Sequence, residues 1–243
     1  MSSELVTCKD LWLSYGTVTA LSGVNLTLAA GRIVGLLGPN GSGKTTLIKL
    51  LNGLIQPTSG TVTIQGLTPG PKTKAQVSYL PDRPYFADWM KVGDMLDFFE
   101  DFYLDFRRDK AEEMCGRLGL KKNVRIRTLS KGTLEKLQLV LVMSRRSQLY
   151  LLDEPIAGVD PAARDFILRT ILTNYNEDGT VLLSTHLISD VEQVLDEVVF
   201  LQEGHVILHD NVDAIREREG KSVDALFREK FRMGGQGGKD NVW

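Results

Sequence analysis

Short apolar runs alternate with stretches of helical periodicity along the chain. Segments 32–37, 149–152 and 181–185 contain few polar residues, which is typical of parallel strands buried on both faces. Segments 5–15 and 24–28 alternate more loosely and predict further strands. After the first run, helical spacing links four apolar residues, Leu47, Ile48, Leu51 and Leu54. The pattern predicts an α/β fold.

The region of about 85–147 differs in character, because it is rich in aromatic residues and reads as helical. A helical stripe is formed by Met95, Phe98, Phe99, Phe102, Tyr103 and Phe106. Residues 134–143 are almost wholly apolar and predict a helix buried on most sides. The aromatic residues, including Tyr85, Phe86 and Trp89, fit the core of a helical subdomain, a groove for a partner, or both.

Length and composition limit the classes of protein. The chain has 243 residues, enough for one sizeable α/β domain with a subdomain, and we assign residues 1–220 to it. Residues 221–243 read as a short charged helix and a flexible tail around Gly234–Gly238. A net charge of -2 gives no general attraction to nucleic acid, and no partner of that class is expected. The two cysteines lack metal-like spacing, and no apolar run approaches the ~18 residues of a membrane span, so a soluble intracellular chain is expected.

A glycine-rich loop joins the first buried strand to the helix after it. Its residues are Gly38, Pro39, Asn40, Gly41, Ser42, Gly43, Lys44, Thr45 and Thr46. Glycines let backbone N–H groups approach phosphate oxygens at a helix N-terminus. Lys44 is expected to reach the β- and γ-phosphates, and Thr45 to offer a hydroxyl to Mg²⁺. A ligand-free turn is the alternative, but the complete motif predicts binding of a nucleoside triphosphate.

Two adjacent carboxylates end the strand 149–152. Acids seldom end a buried strand unless they serve a cation or a reaction. Asp153 is therefore expected to bind Mg²⁺ directly or through water, and Glu154 to orient or deprotonate an attacking water. His186 ends the strand 181–185, where it fits either a hydrogen bond to the γ-phosphate or a structural role.

These motifs together resemble those of the ATP-binding cassette (ABC) ATPases, the nucleotide-binding subunits of ABC transporters, from about Leu5 to Leu208. The resemblance rests on five segments: 38–46, Leu129-Ser130-Lys131-Gly132-Thr133, 151–155, Ala157-Gly158-Val159-Asp160, and 184–186. It implies a P-loop core with a mixed sheet, an antiparallel β edge and a helical subdomain. It also implies that Tyr15 stacks on adenine, although a core tyrosine is an equal alternative from the residues alone.

The resemblance further implies a sandwich dimer of two cassettes. ATP would lie between the phosphate loop of one chain and Ser130 and Gly132 of the other, with Asp160 and His186 coupling the two sites. Two positions depart from the family pattern. Asp82 stands where glutamine is usual, and Lys131 and Thr133 replace glycine and glutamine of Leu-Ser-Gly-Gly-Gln. These departures resemble the exporter-type branch. Asp82 is expected to approach Mg²⁺ and the attacking water, and the alternative is that it accepts turn N–H bonds between Pro81 and Pro84.

The sequence therefore predicts Mg²⁺-dependent ATP hydrolysis coupled to transport, with export expected. The partners would be a membrane-spanning permease and a second cassette, identical or different. The chain would then be cytoplasmic and peripheral on the inner face of the cell membrane. A soluble ABC ATPase of DNA repair, translation or cluster assembly is the alternative, but the chain has no second cassette and no cysteine cluster.

Overall fold

The computed structural model describes residues 4–233, so the predicted glycine-rich tail at 234–238 lies outside the described residues. The strands are β1 (Glu4–Tyr15), β2 (Val18–Ala29), β3 (Ile33–Leu37), β4 (Ser59–Ile64), β5 (Val77–Leu80), β6 (Leu149–Asp153), β7 (Thr180–Thr185), β8 (Glu197–Gln202) and β9 (His205–Asn211). The helices are α1 (Lys44–Leu51), α2 (Pro71–Lys74), α3 (Val92–Phe102), α4 (Arg108–Arg117), α5 (Lys131–Met143), α6 (Pro161–Asn174), α7 (Ile188–Val191), α8 (Val212–Glu219) and α9 (Val223–Met233).

Within residues 4–233 the strands form two sheets. The larger has the order β5-β6-β7-β3-β8-β9 and is parallel except for the antiparallel β8–β9 pair. The smaller is antiparallel, with the order β2-β1-β4. Every residue of β3, β6 and β7 is buried, as their apolar runs predict. The predicted mixed sheet and antiparallel edge are therefore confirmed.

The order of the parallel strands brings the predicted chemistry to one edge. β3 lies between β7 and β8, and β6 lies beside β7. The carboxyl ends of parallel strands face the same edge of a sheet, where ligands commonly bind. The phosphate loop follows β3, the two acids lie at the end of β6, and His186 follows β7. One crevice thus collects motifs that are far apart in the sequence.

Helices α3, α4 and α5 form a helical region with its own apolar cluster, which includes Met95, Phe99 and Leu137. The aromatic stripe divides here. Phe99 is buried, whereas Phe98 and Phe102 are exposed and stack on one another with ring centroids 4.4 Å apart. The core explanation therefore fits Phe99, whereas Phe98 and Phe102 lie outside the buried part of the stripe.

Three local features complete the description. Leu54 lies beyond the end of α1 and is exposed, so it does not continue the predicted helical face. The segment after His186 forms a single helical turn, α7, followed by a 3-10 turn. Leu226 and Phe227 of α9 pack on the same cluster as Phe200. Among residues 4–233, no helix has the length and apolar character needed to cross a bilayer.

Candidate nucleotide-hydrolysis site

The phosphate loop turns sharply between β3 and α1, and two of its glycines are required by close contacts. Gly43 has φ 106°, a conformation that side chains with a Cβ rarely adopt. A Cβ at Gly43 would lie 2.6 Å from the backbone oxygen of Ala20. A Cβ at Gly38 would collide with the backbone oxygen of Leu201. The loop can therefore keep its path only with glycine at both positions.

Lys44 begins α1 and is almost fully buried beneath this loop. Its Nζ donates to the backbone oxygens of Gly38 at 2.8 Å and Pro39 at 3.1 Å. The same Nζ lies 3.4 Å from Oε1 of Glu154. A buried ammonium held against the loop backbone provides a positive charge where phosphate groups would bind at a helix N-terminus.

Asp153 ends β6 and accepts two hydrogen bonds at one carboxylate oxygen. Thr45 Oγ1 donates to Oδ1 at 3.1 Å, and Ser184 Oγ donates to the same atom at 2.7 Å. Burial raises the pKa of the Asp153 carboxyl above its ordinary value, while the bonds from Ser184 and Thr45 act to lower it. The predicted pair of Thr45 and Asp153 is thus in direct contact.

The residues at this point fit a magnesium ion. Oδ2 of Asp153 is buried and has no hydrogen-bond partner among residues 4–233. A free carboxylate oxygen beside a threonine hydroxyl is a donor set that Mg²⁺ accepts, with phosphate oxygens and water completing its shell. In residues 4–233 no three His, Cys, Asp or Glu side chains converge as a ready-made metal cage. The protein ligands of an ion at this point would be Asp153 and Thr45.

Glu154 is held in a strained position between two cationic or titratable side chains. Its φ of 50° lies in the left-handed region, which is uncommon for a residue with a side chain. Its backbone N–H donates to Ser184 Oγ at 2.9 Å. Its carboxylate has Lys44 on Oε1 and His186 Nδ1 at 3.0 Å from Oε2. The strain and these contacts direct the carboxylate into the crevice.

Two cavities meet at this crevice. One, of about 300 Å³, lies against the phosphate loop and is also lined by Asp82 and Glu154. The other, of about 380 Å³, runs between the sheet edge and α5 and is lined by Asp82, Glu154, His186, Lys131 and Gln138 among others. Asp82 follows β5 and lines both cavities, with its side chain about half exposed. The structure therefore places Asp82 beside the predicted hydrolytic residues.

The remaining predicted residues lie at the ends of elements. Ser130 is the exposed N-cap of α5 and accepts from the Thr133 N–H at 3.2 Å, and Gly132 is partly buried in the first turn. Asp160 is the N-cap of α6, and the Ala163 N–H lowers the pKa of its carboxyl. Tyr15 ends β1 and is exposed. A single chain therefore leaves the second half of the predicted sandwich facing outward.

Two residues without a predicted role, Ser184 and Gln138, also lie at the site. Ser184 bridges the backbone of Glu154 and the carboxylate of Asp153. Its polar side chain in an otherwise apolar strand was the available signal. Gln138 lies within the apolar stretch of α5 and lines the larger cavity. A lone glutamine in a buried helix marks a position that apolar packing alone does not explain.

Comparisons with known proteins agree with this geometry. The family model described as ABC transporter matches residues 21–157, more than half of the chain. An uncharacterized ABC transporter ATP-binding protein of Synechocystis is 33% identical over 89% of this chain, which spans 64% of that protein's length. A solved ATP-binding subunit of an ABC transporter is 30% identical, with a TM-score of 0.80 over 93% of this chain and 98% of that one. The chain therefore belongs to the ABC transporter family, as one of its ATP-binding proteins.

Two further similarities are to a lantibiotic transport protein and to a dimeric cassette. The lantibiotic transport ATP-binding protein SrtF of Streptococcus pyogenes is 27% identical over 92% of this chain and 98% of its own length. A dimeric ATP-binding cassette, solved in a post-hydrolysis state with ADP and phosphate, has a TM-score of 0.74 at 20% identity, covering 85% of this chain and 98% of that one. The second similarity is one of fold, and the protein with that fold is a dimer.

Proposed function

We propose that this ABC ATPase hydrolyses ATP with Glu154 as the residue that orients the attacking water and Lys44 as the main cation on the phosphates. One observation carries the proposal: Glu154 is fixed by a strained backbone and by Ser184 at a point 3.4 Å from the lysine of the phosphate loop. A carboxylate held beside a phosphate-binding cation can accept the proton of a water that attacks the γ-phosphate in line.

The other residues of the site bind the phosphates, the metal ion or the Glu154 carboxylate. The loop amides of residues 38–46 bind the phosphate oxygens, and Thr45 and Asp153 would hold Mg²⁺. When bound, that ion neutralises the negative charge that develops on the phosphate oxygens. His186 fixes the Glu154 carboxylate through its Nδ1 contact at 3.0 Å. Asp82 supplies a further acceptor at the edge of the site.

A complete site requires a second cassette. Ser130 and Gly132 of one chain would meet the γ-phosphate held by the phosphate loop of the other, and Asp160 would couple the two sites. Tyr15 would stack on adenine. The proposal is supported by the exposure of Ser130 and Asp160 at helix N-termini and of Tyr15 at a strand end, and by the favourable field of a helix N-terminus for phosphate. A cassette with a similar fold is dimeric.

The permease would bind at a cleft between the large sheet and the helical region. This cleft encloses about 570 Å³ and is lined by Tyr85, Tyr103, Pro84, Arg83 and Lys74, among others. Tyr85 is 52% exposed and adds an aromatic edge that suits a helix of a membrane subunit. The chain would then lie on the cytoplasmic face of the membrane. Export is the direction favoured by the similarity to a lantibiotic transport protein.

The Glu154→Gln variant tests this proposal. The amide keeps the shape of the side chain but loses its basicity, so ATP affinity should be retained while kcat falls by about 10²-fold or more. Steady-state ATPase assays and a nucleotide-binding titration measure the two quantities. Glu203→Gln is a matched control, because Glu203 is an exposed glutamate with φ 48° after β8. Hydrolysis by Glu154→Gln within a few-fold of the wild type would remove Glu154 from this role.

A further inference from the structure

Gln138 is a buried side chain whose amide nitrogen has no partner. The residue is 2% exposed, and its Nε2 meets no hydrogen-bond acceptor in the described part of the chain. Its neighbours from Leu137 to Met143 on α5 are apolar and buried, so packing would be satisfied by an apolar side chain. Because an unpaired buried donor lowers stability, the Gln138 amide requires a partner that residues 4–233 do not supply in this structure.

The cavity that Gln138 lines contains four carboxylates that can accept a hydrogen bond. Two other donors on its wall already face carboxylates. His186 Nδ1 lies 3.0 Å from Glu154, and Lys131 Nζ lies 3.8 Å from Glu135. Gln138 thus contributes a buried, uncharged donor to a wall that is rich in carboxylates.

Asp82 is the carboxylate on this wall that most lacks a firm contact. It is 48% exposed, and its ion pair is with the adjacent Arg83 at 3.9 Å, whose side chain is 89% exposed. An exposed pair of this kind contributes little. Asp82 lies on the loop after β5, whereas Gln138 lies on α5 across the same cavity. The donor and the acceptor therefore belong to two elements whose separation sets the width of the cavity.

We propose that Gln138 is a positioning residue for hydrolysis, and that its Nε2–H donates to the Asp82 carboxylate when the helical region closes on the sheet edge. The bond holds the loop at 80–84 against the nucleotide site and satisfies a donor that is unpaired in the open conformation. A neutral amide leaves the negative charge of Asp82 in place for its function beside the phosphate loop. This inference rests on the proposed hydrolysis of ATP at Glu154.

The first experiment replaces Gln138 by an apolar side chain of similar length. Gln138→Met should lower kcat about fivefold to tenfold and change KM for ATP less than about twofold, because the lost bond forms on closure rather than on binding. Gln76→Met is the control. Gln76 also has a buried amide atom without a partner, but it precedes β5, at the end opposite Asp82. Wild-type kcat in Gln138→Met would overturn the proposal.

An exchange of the two side chains separates positioning from packing. Gln138→Glu places two carboxylates together and should lower kcat more than Gln138→Met. Adding Asp82→Gln to Gln138→Glu restores an amide facing a carboxylate and should recover kcat to within about threefold of Asp82→Gln alone. A packing role for Gln138 predicts no such recovery. A double variant as slow as Gln138→Glu would contradict the pairing.

A third measurement needs ATP binding but no turnover. In the Glu154→Gln background, ATP should slow amide hydrogen exchange in a peptide that covers residues 82–90, and Gln138→Met should abolish that slowing. Equal protection with and without Gln138→Met would count against the proposal. If the wild type showed no Glu154-dependent hydrolysis, the proposed function would fail. If hydrolysis depended on Glu154 but Gln138→Met matched the wild type in kcat and in exchange protection, only the role of Gln138 would fail.

Discussion

Backbone conformation at single residues decides how the site is shaped. Gly43 precedes α1 with φ 106°, and Glu154 follows β6 with φ 50°. The positive φ of Gly43 causes little strain because glycine has no Cβ. The positive φ of Glu154 is strained, and a hydrogen bond from the Glu154 N–H to Ser184 stabilises it. Ser184 also binds Asp153 at 2.7 Å. A single serine thus orients both acids, and its effect is local and stereochemical.

Gly43→Ala should disrupt the phosphate loop, because a Cβ there would lie 2.6 Å from the Ala20 oxygen and 2.9 Å from Leu21 Cδ2. We expect ATP affinity to fall more than tenfold and the free energy of unfolding to fall by about 1–3 kcal/mol. Nucleotide titration and urea denaturation measure these effects.

Gly41→Ala is the control for Gly43→Ala. Gly41 also has a positive φ, 81°, but a Cβ there would meet no atom within 4 Å. Gly41→Ala should therefore lower the free energy of unfolding only by the cost of the backbone conformation, about 1 kcal/mol. Equal losses in stability and ATP affinity for the two variants would show that close contacts do not set the path of the loop.

At the scale of elements, a buried arginine joins the helical region to the sheet. Arg145 follows α5 and is 2% exposed. It donates to Asp105 and to the backbone oxygens of Val77 and Ala75, and its guanidinium lies 3.7 Å from the centroid of the Tyr103 ring. Its five N–H donors can serve several acceptors in one plane. The contact fixes α5 and the start of β5 relative to each other.

Arg145→Met should lower the free energy of unfolding by about 3–5 kcal/mol, because it removes the charged donor from Asp105 and the side-chain donors from two backbone oxygens. Urea denaturation of the whole chain measures this loss. Arg146→Met provides the control, since Arg146 is the exposed neighbour and its replacement should change stability by less than about 0.5 kcal/mol. A similar small change in both variants would mean that the buried network contributes little.

The aromatic residues before α3 divide between packing and exposure. Phe86 packs against the cluster of the helical region, whereas Trp89 is 72% exposed. We expect Trp89→Ala to weaken assembly with the permease at least about fivefold, as loss of an aromatic anchor does, while melting temperature stays within about 2 °C. Co-purification with the permease and thermal denaturation test the two effects. Intact assembly together with a large fall in melting temperature would favour a packing role.

At the scale of the whole molecule, the residues of the proposed site lie on two separate parts of one chain. The phosphate loop, Asp153 and Glu154 lie in one crevice, while Ser130 is exposed and Gly132 partly buried at the start of α5. Neither of the latter lines the cavity against the phosphate loop of its own chain. A nucleotide bound to one molecule would therefore complete its contacts on a second molecule, and ATP would link hydrolysis to association.

Glu154→Gln should consequently be mainly monomeric without nucleotide and dimeric with ATP, because slow hydrolysis leaves the bridging phosphate in place. Light scattering at several protein concentrations measures the mass. Adding Ser130→Arg should prevent the change, since a bulky side chain at that N-cap would block the approach of a second chain. One unchanged mass with and without ATP would contradict a dimer of identical cassettes and favour two different ones.

Local sequence determined much of this protein. The apolar runs at β3, β6 and β7 specified buried parallel strands, and the glycine-rich loop and paired acids specified a site for a nucleoside triphosphate. These features depend on a few adjacent residues, because strand burial, turn conformation and helix N-termini are short-range properties. Together with their order, they were enough to predict the family. Which aromatic residues of the stripe are buried stayed open, because helical spacing gives a face but not the direction in which it turns.

Tertiary structure alone decided which distant residues meet. Ser184 reaches Asp153 because β7 pairs with β6, and Arg145 reaches Val77 because α5 packs beside β5. Gln138 faces the cavity that Asp82 also lines because of the same packing of α5 beside β5. Such contacts join residues tens of positions apart, and their chemistry depends on strand order and helix rotation rather than on neighbouring residues. The sequence supplied the chemical groups, and the packing of its elements fixed their partners.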